Sequence, residues 1–143
     1  MVAHLRKVAE ELGLPFGNRK MTYNSRLAQE LGKWAESQGK GDEFHNAVFR
    51  AYFSEGLNID DIDTLTQLGK NVGLPENEIL SVLEQRAYQD AVDADWSRAY
   101  QLGITAVPTF KVKQQILVGA QPYSVLENFL ESNQITRRID RRR

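Results

Sequence analysis

The apolar pattern of this sequence changes once, near residue 104, and that change restricts the fold more than any other feature. Before it, apolar residues recur every three or four positions, the period of helices with one buried face. After it, Thr109-Phe110-Lys111-Val112 alternates with period two and is β-branched or aromatic, and Ile116-Leu117-Val118 follows as a second short strand. Helical spacing then returns. The chain therefore offers one short hairpin, with its turn at Lys113 to Gln115, in an otherwise helical sequence. A two-stranded hairpin alone is marginal in water, and its edges present unpaired main-chain groups. Either helices cover it, another chain pairs with it, or strands that belong beside it are missing.

The spacing predicts seven helices. Leu5, Val8, Ala9 and Leu12 mark the first, which Gly13 and Pro15 stop. A second starts at Asn24 or Ser25 and carries Leu27, Leu31, Trp34 and Ala35, and Gly39 to Gly41 ends it. Asp42 opens a third, on which Phe44, Val48, Ala51 and Tyr52 share a face with Phe49 and Phe53 beside them. That density of large apolar groups predicts a deeply buried helix. Gly56 stops it, and Leu57 and Ile59 anchor the link. Asp60 or Asp61 caps a fourth, with Ile62, Leu65, Leu68 and Val72 inward. Pro75 starts a fifth, with Ile79, Leu80 and Leu83. A sixth carries Tyr88, Val92, Trp96 and Ala99. After the hairpin, Pro122 starts the last, with Val125, Leu126, Phe129 and Leu130 inward.

With 143 residues, the chain has room for one ordinary domain. Its formal net charge is −1, but the last seven residues hold five Arg and one Asp, leaving 13 basic against 18 acidic side chains, a body of about −5. An acidic body argues against nucleic-acid binding, and the Arg-rich end reads as a disordered, solubilising tail. No apolar run approaches the ~18 residues of a membrane span. The first twelve residues mix charged with apolar groups, unlike a signal peptide, so a cytoplasmic protein is expected. There is no cysteine, which excludes disulfides, thiolate metal sites and a cysteine nucleophile within this chain.

Other chemistry is scarce. His4 and His45 are the only histidines, without metal-ligand spacing. The run from Asn58 to Asp63 lacks the glycine of a calcium loop and puts Ile62 where a ligand oxygen belongs, so helix capping accounts for it. Asp93 and Asp95 do not share a helix face. No phosphate-binding glycine loop, dinucleotide fingerprint or serine nucleophile motif occurs. Neither a cofactor nor a metal is expected. One segment is more specific. Gly103-Ile104-Thr105-Ala106-Val107-Pro108-Thr109-Phe110 places a proline at the start of a strand, where proline is tolerated. An ordinary trans proline accounts for the triplet; a cis bond is the alternative at such a turn.

Taken whole, Gly103 to Phe110 resembles the Gly-Ile-x-x-Val-Pro-Thr-Phe signature of the DsbA-like branch of the thioredoxin superfamily. Gly119-Ala120-Gln121-Pro122 is similar to the matching segment of its FrnE-type subgroup. Asn24-Ser25 before a Leu/Ala helix, the aromatic helix from Phe44 to Gly56, Asn58-Ile59, residues 68–74 and residues 95–102 match in the same order. The resemblance covers about residues 1 to 131 and extends to kappa-class glutathione transferases and 2-hydroxychromene-2-carboxylate isomerases. It implies an α/β, mostly helical chain: a helical insertion over residues 1–103, the C-terminal β-β-α half of a thioredoxin-like fold over 104–131, and the basic tail over 132–143.

It also implies that Val107, Pro108 and Thr109 form the cis-proline loop that holds a substrate peptide or glutathione, with Gly119, Ala120 and Gln121 as the post-hairpin segment. Nothing here matches the family's first β-α-β unit, which carries the catalytic Cys-x-x-Cys or single Ser or Cys. The resemblance thus implies an N-terminally truncated thiol-disulfide oxidoreductase that is redox-inactive alone, with no catalytic residue in this chain. Gln29 stands where relatives often carry His. The alternatives are a glutathione-dependent isomerase or transferase relative, or a non-enzymatic module that forms a homodimer through the exposed hairpin edge.

Overall fold

A computed structural model describes residues 2–18 and 21–136. Seven α-helices and one hairpin occur among them: α1 (Val2–Glu11), α2 (Arg26–Ser37), α3 (Gly41–Phe49), α4 (Ile62–Asn71), α5 (Glu76–Glu84), α6 (Gln89–Gln101), β1 (Thr109–Val112), β2 (Gln115–Val118) and α7 (Tyr123–Ser132). The chain is mostly helical with one hairpin, as its periodicity predicts, and fits the α/β class that the resemblance implies. It divides into two compact units, one up to Asp95 and one from Trp96, a division that falls within α6. Ser132 still belongs to α7 and Asn133 caps it, so the polar tail does not begin at residue 132. Residues 137–143, which hold most of the expected tail, lie outside the described residues.

The first unit owns the apolar core. α2 packs on α3, α4 and α5, and Leu31, Phe44, Leu65, Ile79 and Leu83 are almost fully buried there. Helices come close where side chains are small. A Cβ built on Gly69 of α4 would lie 2.6 Å from Ile79 Cδ1 on α5, so glycine sets that approach.

Helix four is capped by Asp61, which accepts from Thr64 N at 2.8 Å and Thr64 Oγ1 at 2.7 Å. These bonds hold the Asp61 carboxyl below the usual carboxylate range, the Thr64 hydroxyl contributing most. Asp61→Ala is expected to lower the thermal midpoint by a few degrees, and Asp61→Asn to retain most of it; equal midpoints for Asp61→Ala and the unsubstituted chain would refute the cap. The other candidate, Asp60, instead donates its N–H to Asn58 Oδ1.

The aromatic helix departs from expectation. After Phe49 the backbone widens into a π turn, Arg50–Glu55, which closes at Gly56 with φ 72°. An inserted residue per turn rotates the residues beyond it about the helix axis. Phe44, Val48 and Ala51 remain buried, whereas Phe49 and Phe53 are 58% and 42% exposed. The helix is amphipathic, not deeply buried. Similar corrections apply elsewhere: Leu5, Leu12, Leu57, Ile62 and Trp96 are exposed rather than inward.

Candidate functional site

The second unit is built around the hairpin. α6 ends with Gly103 N donating to Tyr100 O and Ile104 N to Ala99 O. The chain then runs through residues 104–108 into β1. β1 pairs antiparallel with β2, Val112 opposite Gln115 and Thr109 opposite Val118. The turn is therefore the two residues Lys113 and Gln114, one shorter than expected, with Lys113 in the left-handed region at φ 53°.

The loop before β1 is held from several sides. The Thr109 hydroxyl donates to Ala106 O at 2.5 Å. Gly119 N donates to Pro108 O at 2.8 Å, extending the hairpin ladder by one bond. Gln121 Nε2 donates to Val118 O at 2.8 Å, and Lys111 Nζ to Leu102 O at 3.2 Å. The Val107–Pro108 bond is cis. Pro108, Thr109, Gly119 and Gln121, distant in sequence, thus form one cluster, with Ala120 exposed between Gly119 and Gln121. Val107 projects from it at 88% exposure. Its main-chain N–H and C=O have no hydrogen bond among the described residues. The surroundings hold this loop while its central residue stays exposed.

Beside it lies a groove that sequence reasoning missed. Val125, Leu126, Phe129 and Leu130 were expected inward, yet no residue of α7 is buried. With Phe110 and Val112 of β1, Leu126, Phe129, Leu130 and Ile135 line an apolar groove of about 650 Å³, with Glu127 and Glu131 among its walls. The strand edge along it is open, since β1 pairs only with β2 among the described residues. A two-residue turn makes Val112–Gln115 a hydrogen-bonded pair, and antiparallel alternation then directs the main-chain groups of Thr109 and Lys111 away from β2. The lone hairpin and the apolar stripe after Pro122, read together, are the sequence signal for this groove.

Among the described residues, the buried polar residue of this unit is Asn133, whose Nδ2 donates to Phe129 O at 2.8 Å and Gln115 Oε1 at 3.1 Å, tying α7 to the hairpin. In the first unit, His45 is half-buried with Nε2 3.1 Å from Glu36 Oε1. Gln29 donates to the Oγ of Ser25, the residue just before its helix, at 2.8 Å. Among the described residues, no three or more His, Cys, Asp or Glu side chains are grouped to hold a metal, and no helix is long and apolar enough to cross a membrane.

Comparison with known proteins places this geometry in a family. The chain is 38% identical over 133 residues to the uncharacterized protein YwbO of Bacillus subtilis (strain 168), covering 91% of this chain and 66% of that protein. Among solved structures, it is similar to the probable DsbA oxidoreductase of Streptomyces coelicolor, with a TM-score of 0.80 and 27% identity, over 99% of this chain and 62% of that one. The fold is also shared with a 2-hydroxychromene-2-carboxylate isomerase, at a TM-score of 0.75 and 21% identity, over 91% of this chain and 64% of that one. The chain thus spans slightly less than two thirds of each of these proteins. Residues 1–131 match the DSBA-like thioredoxin domain, and the chain belongs to that family.

Proposed function

We propose that this chain is the partner-holding part of a DsbA-like thiol-disulfide oxidoreductase of the FrnE type, and that it performs no thiol-disulfide exchange by itself. The observation that carries the reading is the loop at Val107: fixed by the bonds at Pro108 and Thr109, but open along its own main chain. Such a loop suits an extended backbone, a peptide or glutathione, whose N–H and C=O groups pair with those of Val107. Gly119, Ala120 and Gln121 flank the same surface.

The exchange itself needs a thiolate that attacks a disulfide, forms a mixed disulfide and expels the other sulfur as thiolate. No sulfur of this chain can take that part, since it has no cysteine. We assign the nucleophile to polypeptide corresponding to the remaining third of the relatives, and the β1–α7 groove to the strand that accompanies it. A second reading, a homodimer joined edge to edge at β1, is favoured by the outward main-chain groups of Thr109 and Lys111 beside an apolar groove.

The test is an NMR titration of the 143-residue chain with reduced glutathione and, separately, with a short extended peptide lacking cysteine. Amide shifts centred on Val107, Thr109 and Gly119–Gln121 are expected for at least one of the two. Shifts confined to other surfaces, or none at millimolar ligand, would overturn the loop assignment. A response to glutathione and not to the peptide would move the reading to the isomerase or transferase branch. In an insulin-reduction assay with dithiothreitol, the chain is expected to leave the rate at the reductant's own background, and acceleration would refute inactivity.

A further inference from the structure

We draw no further inference here: the strongest candidate, the exposed apolar patch of Phe49 at the end of α3 and Phe53 on the π turn, carries nothing because the structure does not show what covers it.

Discussion

Phe44→Ala is expected to destabilise the helical unit by ~3–5 kcal/mol, because it deletes a large buried side chain and leaves a cavity that a packed core closes only in part. Phe44 is fully buried on α3, the largest of the completely enclosed side chains, in the cluster built from α2, α3, α4 and α5. The loss comprises the transfer of the ring out of a dry interior and the contacts its neighbours no longer make. Phe44→Leu keeps most of the volume and is expected to cost less, about 1 kcal/mol. Denaturant unfolding followed by far-ultraviolet circular dichroism measures both. A loss below about 1 kcal/mol for Phe44→Ala would mean that the site collapses freely, contrary to the close packing of this core.

The second large effect concerns a carboxylate. Glu30 is 1% exposed on α2 and accepts from Arg86 twice, Nε to Oε2 at 2.7 Å and Nη2 to Oε1 at 2.6 Å. It also accepts from Arg26 Nε at 2.7 Å. Arg26 reaches on to α6, donating to Gln89 O at 3.0 Å and pairing with Asp93 at 2.7 Å. One carboxylate thereby fastens α2 to the turn after α5, and Arg26 fastens α2 to the start of α6. The cluster sets charge against burial: Arg86 lowers the Glu30 carboxyl most, burial opposes it, and Arg26 adds to the lowering.

Glu30→Ala is expected to cost ~3 kcal/mol, the low end for breaking a buried pair. The low end applies because the Arg86 side chain is 41% exposed and its guanidinium can turn to water. Glu30→Gln is expected to cost less at neutral pH and to report on the charge. A carboxyl held below its ordinary value of 4.5 takes up its proton later in the folded chain than in the unfolded one. Its stabilisation is therefore complete above that value and is lost as the pH falls through the lowered folded value. The stability gap between the unsubstituted chain and Glu30→Gln should shrink on acidification from neutral pH to about pH 3. A gap that stays constant over that range would contradict the ionised cluster.

Much of this arrangement is legible in the sequence because it is local. Asp61, Gly56 and Pro75 stand where helix starts and stops require them, and the alternation at Thr109–Val112 marks the strand. The sequence pattern also exposes the problem of the lone hairpin. Features that depend on register or distance escape it. The π turn that follows Phe49 re-aims Phe53 relative to the α-helix before it, which composition does not encode. Arg86 lies 56 positions from Glu30, so only the i, i+4 pair Arg26–Glu30 is visible beforehand. The stripe on α7 is plain in the sequence, but an apolar stripe states that something covers it without stating whether this chain does. Here it faces a groove. In the candidate site, the loop and the post-hairpin segment are separately recognisable, whereas the bond from Gly119 to Pro108 that joins them emerges only from the hairpin register.

The most direct test of the open edge is amide hydrogen exchange at β1, read by NMR over a dilution series with light scattering to fix the mass. In the monomer, the Lys111 amide is expected to exchange at close to the unprotected rate. Phe110 and Val112, paired to Leu117 and Gln115, should be slower, and the amides within α2 slower still. Protection of Lys111 that grows with concentration, together with a doubled mass, would replace the open edge by the homodimer. Strong protection of Lys111 in a monomer would contradict the open edge, because this chain would then be covering it with its own residues.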